Sequence, residues 1–205
     1  MPGRVFLSDP IVAVAHQLGA HIDDVPPQKP RFNIAPGQEV LALERNGLRM
    51  MRWGLIPVGR VNARGRPVMG TIINARSETV FDKTAFADVS RAVMPVNGWY
   101  EWTGDGPRKT AWRITPKQGG LLYFAGISDV WNAPDGRRLE QLATVTCPPS
   151  ADLRDIHDRM AVILSLENVP VWLNGTEAEA SALMQPWPDD QLLIEKATDV
   201  NWRAP

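Results

Sequence analysis

Glu101 stands in Trp99-Tyr100-Glu101-Trp102, an acid among three aromatic residues. A carboxyl taken out of water there must raise its pKa or find a partner, and a raised carboxyl can transfer protons near neutral pH. Strand alternation leaves a second reading open, with Glu101 pointing to solvent. His157 stands in Asp155-Ile156-His157-Asp158-Arg159-Met160, a polar stretch before the apolar run Ala161–Leu164. Acids on either side and an arginine two residues on could hold one tautomer for acid–base work. Asn74-Ala75-Arg76-Ser77-Glu78-Thr79 combines an amide, a guanidinium and hydroxyls that suit phosphate and sugar oxygens; the same residues could cap a helix. His16 and His21 read as helix-end or surface residues. No residues show metal-ligand spacing, so neither a metal nor a cofactor is expected. Cys147 follows Thr146 on a strand, so it should face away from Thr146 as a small buried hydrophobe.

Short strands dominate the elements that must position these groups. Val40–Arg45 and Leu48–Trp53 flank Asn46-Gly47 and read as a hairpin. Ala92–Val96 and Trp99–Trp102 follow one another around Asn97-Gly98. Further strands are expected at 111–114, 121–127, 141–146 and 160–164. Helices are expected at 8–18, with a Ser8/Asp9 start and Pro10 in the first turn, at 77–86, at 176–184 with a Thr176/Glu179 capping box, and at 189–196. The reading is α+β, mainly β: an antiparallel barrel-like or curved sheet with peripheral helices.

The 205 residues suit one domain spanning 1–205. With 44% apolar and 22% charged residues, a packed core is expected. No apolar run is long enough to span a membrane, and one cysteine cannot form an internal disulfide; a cytoplasmic monomer is expected. The net charge of −1 hides an asymmetry. Residues 29–76 carry Lys29, Arg31, Arg45, Arg49, Arg52, Arg60, Arg64, Arg66 and Arg76 against Glu39 and Glu44, a balance of +7. That segment could form a phosphate-binding face, or its arginines could be scattered over the surface. Eight tryptophans are many for this length; most should pack in the core, and Trp53 and Trp102 are the ones placed to stack on unpaired bases.

Seven segments in register resemble the SOS response-associated peptidase (SRAP) family of abasic-site-processing proteins. They are Gly3-Arg4, Arg31-Phe32-Asn33-Ile34-Ala35-Pro36-Gly37, Met51-Arg52-Trp53-Gly54-Leu55-Ile56-Pro57, Asn74-Ala75-Arg76-Ser77-Glu78-Thr79, Pro95-Val96-Asn97-Gly98-Trp99-Tyr100-Glu101-Trp102, Phe124-Ala125-Gly126-Ile127 and Ile156-His157-Asp158-Arg159-Met160. The resemblance implies a compact barrel-like fold with a positive groove for single-stranded DNA. It implies an active site of Asn74, Glu101 and His157 with Thr146 nearby, and phosphate contacts from Arg4, Arg76 and Arg159. Asn33, Trp53 and Trp102 join the expected DNA-binding set.

The family carries a cysteine after the initiator methionine. Its amine and thiol together close a thiazolidine on the ring-opened sugar aldehyde. Here position 2 is Pro2, which has no thiol. Val58-Gly59-Arg60 is a lesser departure, where the family often has another tryptophan. Two readings follow. In one, Pro2, freed of Met1, uses its secondary amine to form a covalent adduct with abasic single-stranded DNA, which leaves crosslinking, lyase or autopeptidase chemistry as the enzyme class. In the other, the protein binds single-stranded or abasic DNA non-covalently.

Overall fold

The computed structural model describes residues 2–22, 25–56, 70–83, 86, 88–106, 109–133 and 135–204. In chain order the strands are β1 (Arg4–Leu7), β2 (Arg31–Ile34), β3 (Glu39–Glu44), β4 (Gly47–Trp53), β5 (Asn74–Arg76), β6 (Ser90–Val96), β7 (Gly98–Thr103), β8 (Thr110–Pro116), β9 (Leu122–Asn132), β10 (Arg138–Cys147), β11 (Met160–Ala161), β12 (Ile163–Leu164) and β13 (Leu192–Lys196). The helices are α1 (Ile11–Leu18), α2 (Val169–Asn174) and α3 (Glu177–Ala182).

Five strands close into a ring. β4 pairs with β3, β3 with β6, β6 with β9 and β9 with β10, all antiparallel. β10 then returns to β4 in parallel, Gln141 opposite Arg52 and Leu142 opposite Trp53. Closure satisfies edge backbone groups that an open sheet would expose. A second sheet, ordered β13-β8-β7-β1-β2, lays one face on this barrel. Trp99 of β7 meets Phe124 of β9 edge-on, with ring centroids 5.5 Å apart. The expected mainly-β barrel with peripheral helices is therefore the observed architecture. The parallel pairing of β10 was not foreseen, because hairpin signals report only strands adjacent in sequence.

The Asn46-Gly47 hairpin forms as expected, in register Leu43↔Leu48. Asn97-Gly98 does something different. β6 pairs with β3 and β9, whereas β7 pairs with β1 and β8, so the chain changes sheet at this dipeptide. Asn97 Oδ1 accepts the Ser8 N–H at 2.8 Å and the Asp9 N–H at 3.1 Å, and Nδ2 donates to the Gly120 carbonyl at 3.3 Å. Gly98 is required by close approach: a Cβ there would lie 2.3 Å from the Ile114 carbonyl oxygen and 2.7 Å from Phe6 Cζ.

The helices fit less closely. α1 lies within the expected 8–18, but Ser8 is held by Asn97 rather than capping it. Of 77–86, the described residues show a 3-10 turn over Ser77–Thr79. α3 carries the expected capping box, with Thr176 Oγ1 accepting the Glu179 N–H at 3.2 Å. The helix expected at 189–196 is a correction: Leu192–Lys196 is strand β13, paired along β8 with Leu193 opposite Thr115 and Glu195 opposite Arg113. The open edge of β8 overrides local preference there. α2 was not foreseen. Its Trp172 is fully buried and donates Nε1–H to the Ala92 carbonyl at 2.9 Å. No described helix is long and apolar enough to cross a membrane.

Gly98→Ala should destabilise the protein by about 1–3 kcal/mol or more, since the added methyl overpacks backbone and ring together. Denaturant melts read this as a lower midpoint. A parent-like midpoint would contradict the close approach of β7, β8 and Phe6.

Candidate functional site

β10 organises one end of the barrel. Thr144 and Thr146 alternate onto the same face, and both are fully buried. β5 lies parallel beside them, with Thr144 opposite Asn74 and Thr146 opposite Arg76. The Thr144 hydroxyl donates to Asn74 Oδ1, and the Thr146 hydroxyl donates to the Ala75 carbonyl at 3.2 Å. With its oxygen so engaged, the Asn74 amide turns Nδ2–H toward Pro2 and donates to the Pro2 carbonyl at 3.3 Å. Pro2 itself is buried. Cys147 faces away from this group, fully buried, and desolvation pushes its thiol up to about 12. A thiol so raised is almost wholly protonated at neutral pH and is a poor nucleophile.

Pairing of β1 with β7, Arg4 opposite Tyr100, carries the start of the chain toward Glu101. Glu101 shares the inner face of β7 with Trp99 by alternation and is 4% exposed. The solvent-facing reading is thereby excluded. Burial pushes its carboxyl up to about 7. The amino-terminal charge and the Trp99 indole N–H oppose that rise, and the Asp158 carboxylate adds to it.

His157 is half-buried. Desolvation first, then the amino-terminal charge, lowers its pKa, and Asp158 acts against them. In the neutral ring, Nδ1 accepts the backbone N–H of Arg159 at 3.0 Å, which leaves Nε2 as the protonated nitrogen. The Asp158 carboxylate lies 2.7 Å from the same Nδ1 and becomes its ion partner when the ring is protonated. Glu101 and His157 thus respond to the same amino-terminal charge, and Asp158 acts on both.

The arginines sort differently from expectation. Arg76 is exposed at the end of β5. Arg159 is committed: its guanidinium pairs with both carboxylate oxygens of Glu78, the second at 2.8 Å, and donates to the Thr146 carbonyl. The pair draws Glu78 down to about 2 and raises Arg159. Arg159 so bound clamps the loop before β11 to β10, and a phosphate would have to share it. In the basic segment, Arg31 binds Gln38 and Glu39, Arg45 the Leu173 carbonyl, Arg49 Glu140, and Arg52 the Gly54 carbonyl. Those side chains hold the fold together rather than form one open face. Arg60, Arg64, Arg66, Pro57 and the Val58-Gly59-Arg60 departure lie outside the described residues.

Four further residues of the expected DNA-binding set are Trp53, Arg4, Trp102 and Asn33. Trp53 is fully buried, its Nε1–H on the Ile73 carbonyl at 3.3 Å, so no face is free for a base. Arg4 and Trp102 belong to the outer face of the second sheet, because Arg4 is opposite Tyr100 and alternation sets Trp102 with Tyr100. Asn33 is 3% exposed; Oδ1 accepts from Arg4 at 2.8 Å, and Nδ2 donates to the Ala204 carbonyl at 2.8 Å. It holds the C-terminal segment in place. Sequence reasoning missed Thr144, which shares its strand face with Thr146, and Glu78, which sits inside a segment already singled out. Among the described residues no cluster of His, Cys, Asp or Glu could hold a metal. A cavity of about 490 Å³ lined by Glu44, Arg45, Phe81, Arg91 and Glu177 includes none of the candidate residues.

The sequence profile of the SOS response associated peptidase (SRAP) family matches residues 1–201. Among characterised proteins, the abasic site processing protein YoqW of Bacillus subtilis is 36% identical over 174 residues, 80% of this chain and 76% of its own. The abasic site processing protein YedK of Escherichia coli is 31% identical over 163 residues, 74% of this chain and 70% of its own. A crystal structure of a Bacteroides thetaiotaomicron protein superposes with a TM-score of 0.82 at 22% identity, covering 96% of this chain and 92% of that one.

Glu101→Gln should change how stability depends on pH. The folded carboxyl holds its proton to about 7, while the unfolded one releases it near 4.5. Its contribution is therefore complete below the lower value and is lost as pH rises through the upper one. The parent should lose on the order of 3 kcal/mol relative to the Gln variant across that window. Denaturant melts of both proteins at either end of the window give the gap. A gap independent of pH would contradict a desolvated carboxyl.

Proposed function

The chain belongs to the SOS response associated peptidase (SRAP) family, and from that premise we propose that it processes abasic sites in single-stranded DNA through an N-terminal amine. The observation that carries this reading is the Asn74 amide on the Pro2 carbonyl, in the end of the fold where the Asp158 carboxylate acts on both Glu101 and His157. Relatives named as abasic site processing proteins support the substrate class, and the family name supports a place in the SOS response to DNA damage. Residues 1–205 act as one unit in this reading.

Removal of Met1 exposes the secondary amine of Pro2. An α-amine ionises at about 7.7–8.0, so part of it is neutral at physiological pH. Its lone pair adds to C1′ of the ring-opened sugar aldehyde, giving a nitrogen cation and an alkoxide. Neutral His157 accepts at Nδ1 the proton shed by the nitrogen, and Asp158 pairs with the charged ring there. Protonated Glu101 gives its proton to the alkoxide, leaving a neutral carbinolamine. Protonated His157 then returns its proton to the hydroxyl, which departs as water and leaves an iminium cation. Asn74 fixes residue 2 while this happens, and Arg76 holds a flanking phosphate. Without a thiol, no ring closes on the iminium, so water reverses it.

A second reading rests on Pro2 itself. A chain that keeps Met1, or whose proline is unreactive, retains the site as a non-covalent binder of abasic or single-stranded DNA.

Incubation of Met1-free protein with abasic single-stranded DNA and a hydride donor should give a stable adduct, a tertiary amine visible by intact mass. Without the reductant the adduct should be labile. Pro2→Cys should give a heat-stable adduct with no reductant, and Glu101→Gln and His157→Ala should slow both reactions by about 100-fold or more. In the matching binding assay, Arg76→Ala should weaken affinity equally for every base sequence. Trapping of Pro2→Cys but never of the proline protein would favour the non-covalent reading. Trapping of neither, with DNA binding intact, would overturn this placement of the site.

A further inference from the structure

The C-terminal segment lies on the outer face of the second sheet as a pinned turn. Ala197 donates its N–H to the Ala111 carbonyl at 2.9 Å, and Asp199 pairs with Arg113 at 2.6 Å. Beyond them the turn is closed by the Ala204 N–H on the Asn201 carbonyl at 3.2 Å and the Arg203 N–H on Asn201 Oδ1 at 3.1 Å. The buried Asn33 amide holds the turn from below through the Ala204 and Asn201 carbonyls, at 2.8 and 3.3 Å. This anchoring places the Trp202 ring centroid 5.0 Å from Tyr100 and 5.3 Å from Trp102. Trp202 is nevertheless 36% exposed, and Arg203 beside it is exposed.

We propose that Trp202 and Arg203 complete a subsite with Trp102 and Arg4 that stacks one unpaired nucleobase flanking the lesion. The inference rests on the reading that the chain binds single-stranded DNA. A lone exposed tryptophan means little, since scattered apolar surface is normal. The setting here is more particular. A rigid aromatic ring is held partly out of water, against a second partly exposed ring, with exposed Arg203 next to it in sequence and Arg4 tied to the same turn through Asn33. Aromatic faces with adjoining cations are the device that grips single strands without reading sequence. Arg4 stands two residues from Pro2, at most about 7 Å along the backbone, so the platform begins close to the proposed reactive end. Asn33 couples the parts: one amide binds Arg4 through its oxygen and the Trp202 turn through its nitrogen.

The test is fluorescence anisotropy with a labelled oligothymidine of about 12 nucleotides carrying one abasic site, for the parent, Trp202→Ala and Trp202→Phe, each checked for a parent-like melt. Trp202→Ala should weaken binding about 5- to 50-fold, and Trp202→Phe should keep most of the affinity. A second oligonucleotide lacks the base next to the abasic site as well. There Trp202→Ala should cost nothing further, because the stacked partner is already gone. Parent-like binding by Trp202→Ala on the first oligonucleotide would overturn the subsite while leaving the DNA-binding reading intact. Tighter binding would overturn it too, since the turn would then block the face rather than build it. If the parent itself binds no single strand, the reading beneath the inference fails and the subsite fails with it.

Discussion

The Glu101 carboxyl is kept out of water by the packing of β7 between two environments, and the site takes its character from that desolvation. On the inner side Trp99 meets Phe124 of the barrel; on the outer side Tyr100 and Trp102 are covered by Phe6 and Trp202. A strand coated with aromatic rings on both faces leaves its one acid 4% exposed. Burial then costs the charged form more than neighbouring charges return, and the carboxyl rises to about 7. A glycine at the start of the strand makes the arrangement fit, because any side chain at Gly98 would collide with β8 and Phe6.

Backbone pairing arranges the remaining polar groups of this end of the barrel. Parallel pairing of β5 with β10 places Asn74 over Thr144, whose hydroxyl fixes the amide so that its donor end meets Pro2. Pairing of β11 with β10 sets the His157 loop beside it, and the Glu78–Arg159 pair locks that loop. The Asn74 contact reaches residue 2 through its backbone carbonyl rather than its side chain.

Much of this was legible in the sequence where the signal was local. The Asn46-Gly47 hairpin and the Thr176/Glu179 box follow from residues a few positions apart. The desolvation of Glu101 was one of two open readings, decided by which face of β7 meets the barrel. What the sequence concealed was non-local. Residues 189–196 look helical in isolation and become a strand because β8 offers an unpaired edge. The basic run 29–76 resembles a phosphate face, yet Arg31, Arg45, Arg49 and Arg52 turn to carbonyls and side chains within the fold. Trp53 looked available and is buried; Trp202, in a tail without periodicity, is left partly exposed.

The most direct measurement is a carbon-13 NMR titration of the Glu101 side-chain carboxyl in the folded protein, assigned by loss of the signal in Glu101→Gln. The account expects a midpoint of about 7, far above the ordinary value of 4.5, with the fold intact throughout. A midpoint near 4.5 would show a solvated, ionised carboxylate and would contradict the desolvated acid on which the site depends.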